Sequence, residues 1–132
     1  MPHVSVLFKG GLRFEVAARQ HTLTVDLSAA KGGTDAGPTP PEIFAASLGT
    51  CVGVYVARYC ANARLDATDM AITVSMGASQ DQKSLENIDI VIKLPHADAG
   101  KRSSALLEVA RHCLIHKTIE RHPEIRISLD KG

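Results

Sequence analysis

Three cysteines carry most of the chemistry available to this sequence, and their spacing limits what each can do. Cys51 lies within PPEIFAASLGTCVGVYVARYC, an apolar run whose only nearby acid is Glu42. A thiol so placed is a small core hydrophobe, one arm of a structural bridge, or a reactive group sheltered from water. Cys60 follows nine residues later. At ~100° per residue the two thiols face opposite sides of a helix and cannot bridge within it. Cys60, beside Tyr59 near the helix end, reads as plain packing. Cys113 is then the internal partner open to Cys51, and with three thiols not all can pair within one chain. Cys113 and His116 also have the three-residue spacing of two metal ligands on one helix side, with His112 and His122 nearby. No second pair completes a compact set, so no metal and no cofactor are expected. His116 is expected to border the Cys113 pocket or to cap that side of the helix.

The elements that must position these thiols follow from the pattern around them. Thr39 is a candidate N-cap, Pro40 and Pro41 fall where a helix tolerates a missing donor, and Glu42 stands in the first turn. The helix should run over about 41–62. From Ile43 to Ala57 it is apolar or small at every position, with no charged stripe for solvent, so it must be enclosed on all sides. Ala45, Ala46, Ser47, Gly49, Thr50 and Gly53 make part of it narrow enough for another backbone to approach. A homodimer that sandwiches this helix would complete the enclosure.

Upstream, HVSVLFKG, LRFEVAAR and HTLTVDL alternate apolar and polar residues as strands within about 3–27, with Gly10-Gly11 as the first hairpin turn. SAAKGGTDAGPTPP is a loop. Downstream, two strands are expected within about 69–94. One continuous helix is expected over about 99–121, where Leu106, Val109, Ala110, Cys113 and Lys117 recur at three- and four-residue steps. A closing strand is expected at about 125–129, EIRISL. Three strands, a helix, two strands, a helix and a strand describe an α+β fold, with antiparallel sheets and two long core helices in a single domain over 1–132.

Composition narrows the function classes. The 132 residues are 45% hydrophobic and 22% charged, ordinary for a globular chain, while aromatics are only 4% with no Trp. A net charge of +1, without a basic run or stacking aromatics, argues against nucleic-acid binding. The start MPHVSVLFKG lacks an apolar signal region, and the uncharged run Ile43 to Ala57 is 15 residues, short of the ~20 that span a bilayer. A cytoplasmic protein with no membrane partner is expected.

GGTDAGPTPPEIFAASLGTC resembles the first-cysteine motif of the OsmC/Ohr proteins, the osmotically inducible and organic hydroperoxide resistance family. HCLIHKTI resembles the second, in which Pro usually follows the cysteine, and the order of elements fits the family over essentially the full chain. The resemblance implies an intertwined α+β homodimer of the OsmC-like branch, with active sites at its interface. It also implies thiol-dependent reduction of organic hydroperoxides, with Cys51 peroxidatic, Cys113 resolving, and a dithiol as reductant. A thiolate attacks the O–O bond and becomes a sulfenic acid, which the second thiol condenses to a disulfide. An apolar surround would favour fatty or aryl hydroperoxides over hydrogen peroxide.

Family peroxidases also place a Glu directly after the motif proline, paired with an Arg that activates the cysteine. Here Pro41 takes that place and Glu42 sits one residue nearer the thiol. The loop before the motif holds no Arg, which leaves Arg13 and Arg19, reaching across a dimer, as auxiliary candidates. Each also fits a plain role, Glu42 at a helix N-terminus and the arginines as solvated charges. Leu114 replaces the proline after Cys113. The rival reading is a non-catalytic dimer that binds hydrophobic ligands and needs no activated thiol.

Overall fold

The computed structural model describes residues 3–132. Its order is β1 (Ser5–Phe8), β2 (Phe14–Ala18), β3 (His21–Val25), α1 (Pro40–Ala63), β4 (Ala71–Ala78), β5 (Leu85–Lys93), α2 (Ser103–Arg111) and α3 (Leu114–Glu120). Every strand pairing is antiparallel, so the α+β class read from the pattern is the fold. The chain divides within α1 into an N-terminal unit, Met1–Ala46, and a C-terminal unit, Ser47–Gly132.

In the N-terminal unit β1, β2 and β3 form a meander. Gly10 and Gly11 make the first turn with φ of 102° and 57°, the left-handed conformations that a tight hairpin requires. One face carries the cross-strand sets Val6/Val16/Leu23 and Phe8/Phe14/Val25, and the two Phe rings meet edge-on with centroids 5.6 Å apart. Of these six only Val25 is buried. After β3 the loop folds back on buried Asp26. Its carboxylate accepts from the backbone N–H groups of Leu27 (2.7 Å), Thr34 (3.1 Å) and Ala36 (3.1 Å) and from the Thr34 hydroxyl (2.7 Å).

The core of the C-terminal unit is a line along α1. Leu48, Val52, Val56 and Cys60 recur every four residues and are buried with Leu106, Ala110 and Cys113. The narrow side of α1 faces β4. A Cβ at Gly49 would lie 3.0 Å from a Val74 methyl, and one at Gly53 3.1 Å from the Ile72 δ-methyl. The small residues therefore admit β4 side chains of the same chain. On the outward side Ser47, Thr50 and Val54 are exposed. At 24 residues α1 is long and apolar enough to cross a bilayer by length and composition, which the 15-residue count understated, and 28% of its most apolar window is buried within the chain.

Two expectations are corrected. The helix over 99–121 is not continuous: α2 ends at Arg111, and Cys113, with φ −64° and ψ 148°, is extended and caps α3. Apolar periodicity runs through the break because both half-helices bury the same side, and a cysteine is an uncommon N-cap. The strand over 125–129 does not form. Residues 123–132 are irregular, and Ile125, Ile127 and Leu129 are 82%, 92% and 81% exposed. Alternation supplies strand propensity, but a strand needs a ladder partner, and this segment has none among the described residues.

Candidate thiol site

Cys51 and Cys113 come together in the C-terminal unit. Cys51 projects from α1 half-buried and packs against the cluster that contains Cys113, near enough for the two thiols to influence each other. Cys113 is fully buried at the α2–α3 break, held there by its own backbone role. Its Sγ accepts the His116 backbone N–H at 3.3 Å, and its carbonyl accepts the Lys117 N–H at 3.0 Å. Burial pushes the Cys113 thiol above its ordinary value. The His116 N–H is the largest opposing influence, and the neighbouring Cys51 thiol adds to the rise. Cys60 is fully buried elsewhere on α1, and burial raises its thiol too.

Beside this pair is a cavity of about 330 Å³. Its walls are Leu48 and Val52 of α1 and Ile88, Ile90 and Ile92 of β5, and its polar edge is Arg111, His116 and Glu120. Neither cysteine lines it, although Ala110 and His116, on either side of Cys113, do. The His116 imidazole Nε2 lies 3.9 Å from a Glu120 carboxylate oxygen, and Lys117 Nζ lies 3.3 Å from the other. Among the described residues no group of three or more His, Cys, Asp or Glu side chains could hold a metal ion.

The other sequence candidates lie in the N-terminal unit. Glu42 forms a capping box with Thr39: its Oε1 accepts the Thr39 N–H at 2.8 Å, and its own N–H donates to the Thr39 hydroxyl at 3.4 Å. The Thr39 N–H first, and then the Thr39 hydroxyl, hold the Glu42 carboxyl below its ordinary value. The Arg13 guanidinium donates to the Lys9 carbonyl at 3.2 Å across the first hairpin turn. Arg19, with φ 55°, sits at the β2–β3 turn. Sequence reasoning passed over Asp26 as one more outward polar residue of a strand. The signal was the small-residue loop GGTDAG shortly after it, whose amides need an acceptor.

A family model described as OsmC-like protein matches residues 32–128, and the chain belongs to that family. No curated protein matches the sequence. Among solved structures, one from Psychrobacter arcticus, described as an osmotic-stress-induced and detoxification-response protein, superposes with a TM-score of 0.81 at 18% identity, covering 89% of this chain and 88% of its own. An OsmC-like protein of Mycoplasma pneumoniae gives 0.76 at 13% identity, over 91% and 87%. The organic hydroperoxide resistance protein OhrB of Bacillus subtilis gives 0.61 at 17% identity, over 89% of each chain. At these identities the likeness speaks for the fold.

Proposed function

We propose that this protein is a thiol peroxidase for organic hydroperoxides that works through Cys51 and Cys113. The observation that carries the reading is the packing of the two thiols on one core, one half-buried and one fully buried. The Cys51 thiolate attacks the distal peroxide oxygen, the O–O bond breaks, and an alcohol leaves, with Cys51 as the sulfenic acid. Cys113 then displaces hydroxide from that sulfur, closing a disulfide that an external dithiol reduces. The apolar cavity beside the pair and the names of the hydroperoxide-resistance relatives support a hydrophobic substrate. Glu42, Arg13 and Arg19 are auxiliary at most, since each has a structural bond or turn position that accounts for it. The scheme needs a compartment that returns thiols to the reduced state, as the cytoplasm does.

The working unit is a homodimer. Val54 of α1, Val6, Phe8 and Leu23 of the β1–β3 sheet, and Ile125, Ile127 and Leu129 all expose apolar surface that calls for cover. A second copy of this chain supplies such cover.

The test is intact-mass analysis of the reduced protein after stoichiometric cumene hydroperoxide, beside C51S and C113S. The wild type should lose two hydrogens, neither variant should, and C113S should hold one added oxygen on Cys51. A wild type that stays unmodified, or oxidises no faster than free cysteine, refutes the peroxidase. The hydrophobic-ligand-binding dimer, for which the same cavity speaks, then becomes the better reading.

A further inference from the structure

From two cavities that follow one another along α2 we infer that Leu107 sets the length of the alkyl chain this protein accepts. The inference rests on the peroxidase reading above for which end of the chain reacts. The cavity beside the thiols has a neighbour of about 270 Å³, lined by Leu94, Ala99, Ser103 and Leu106. The two cavities share Leu107 of α2 and Ile92 of β5, so these side chains form the neck between them. The order along both elements agrees. On β5, Ile88 and Ile90 line the first cavity, Ile92 lines both, and Leu94, just past the strand, lines the second. On α2, Ala110 and Arg111 line the first, Leu107 both, and Ser103 and Leu106 the second. From Ser103 to Arg111 the helix rises ~12 Å at ~1.5 Å per residue. Together the two make an elongated channel with the proportions of a hydrocarbon chain.

The two ends of the channel differ in chemistry. Polar side chains stand at the end toward the thiols: Arg111, His116 and Glu120. The charges there are already paired, Arg111 with Glu108 at 3.7 Å and Glu120 with Lys117 at 3.3 Å. At the far end the polar side chain is Ser103, whose hydroxyl donates to the Gly100 carbonyl at 3.0 Å. An uncharged polar head at the first end and an aliphatic tail at the second satisfy both, whereas a carboxylate head would meet Glu120. The walls hold no aromatic ring to stack on an aryl tail. The ligand class is therefore a primary alkyl hydroperoxide whose tail passes Leu107. Ala110 and His116, on either side of Cys113 in the chain, line the head end, which is where the O–O bond belongs. Leu107 is 49% exposed, so a larger side chain there narrows the neck without disrupting the core.

The experiment is isothermal titration calorimetry with n-hexanol, n-octanol and n-decanol, unreactive stand-ins for the substrate, on reduced wild type, L107W, L107A and V91W. It is run beside the rate of Cys51 oxidation by the hydroperoxides of the same three chain lengths. Val91 alternates with Ile90 and Ile92 on β5 and is 62% exposed, so V91W controls for an added indole on the other face of the strand. In wild type, L107A and V91W, affinity should rise ~4-fold per methylene through decanol, the equivalent of ~0.8 kcal/mol. In L107W, hexanol should bind within ~2-fold of wild type and decanol at least ~10-fold more weakly, because the tail no longer passes the neck. The hydroperoxide rates should follow the same pattern. Equal chain-length dependence in wild type and L107W overturns the inference. So does alkanol binding that weakens as protein concentration rises, which would assign the channel to a second copy. Hydroperoxides that oxidise Cys51 at rates blind to chain length overturn the role of Leu107 and leave the redox pair standing. Alkanols that follow the neck while no hydroperoxide oxidises Cys51 overturn the peroxidase and leave Leu107 as the length selector of a hydrophobe-binding protein.

Discussion

Replacing Ile127 by Ala should weaken the proposed dimer while leaving the monomer fold untouched. Ile127 is 92% exposed in the single chain, so the monomer has almost no contact to lose, and its stability should stay within ~0.5 kcal/mol of wild type. In a dimer that buries the C-terminal segment, the substitution removes three carbons from the interface of each copy. At ~0.8 kcal/mol per buried methylene this is ~2.4 kcal/mol per copy. Two-fold symmetry places the site in the interface twice, which gives ~5 kcal/mol per dimer. With ~1.4 kcal/mol for each factor of ten, the dissociation constant should rise by ~10³. Sedimentation equilibrium over a dilution series reads that change directly, and thermal unfolding at a concentration where both proteins are monomeric checks the fold. Ser128→Ala, at a polar position of the same segment, is the control and should leave dissociation unchanged. If wild type and Ile127→Ala dissociate at the same concentration, the segment lies outside the interface and its apolar side chains need another account.

Three further outcomes follow from single features of the fold. Asp26 is held at about 2 by the Thr34 hydroxyl and by backbone amides, so its ionised form contributes stability that is complete above its ordinary value near ~4 and is lost as pH falls toward 2. Asp26→Asn should be less stable than wild type at pH 7, with the gap in urea midpoint shrinking by pH 3. Gly53→Ala should be neutral or stabilising, because the Ile72 δ-methyl 3.1 Å from the new carbon can rotate aside while the helix gains up to ~1 kcal/mol. Gly49→Ala meets the stiffer, β-branched Val74 at 3.0 Å and should be the less stable of the two by chemical denaturation. Leu114→Pro should fold at least as well as wild type and close its disulfide at the same rate. The site is an exposed first helical position, and Cys113 before it already holds the extended backbone that proline demands, φ −64° and ψ 148°.

The order of elements as far as β5 and the nearness of Cys51 to Cys113 were legible because both rest on periodicity. Apolar residues every three or four positions identify the buried side of a helix, and two thiols on two buried sides have one core to share. What the sequence hid was carried by hydrogen bonds that no periodicity records. Asp26 looks like any outward residue of an alternating strand until the loop that needs its carboxylate is folded over it. EIRISL has the pattern of a strand, yet whether it becomes one depends on a ladder partner outside its own chain. The α2–α3 break is the instructive case. The usual proline after the second cysteine is absent, and a continuous helix through Cys113 was the natural reading. The break persists because the cysteine sulfur itself accepts a free amide of the first turn of α3, that of His116, doing with a thiol what a serine or aspartate does at an ordinary N-cap. The residue proposed to resolve the sulfenic acid is thus also the one that stops the helix. Forming the disulfide would turn the capping sulfur toward Cys51 and weaken its bond to His116 N–H. Oxidation should therefore loosen the first turn of α3, visible as faster amide exchange at His116 in the disulfide form than in the dithiol form. Equal exchange in both forms would mean that the cap is held by the backbone alone and that the sulfur is free to react without cost to the helix.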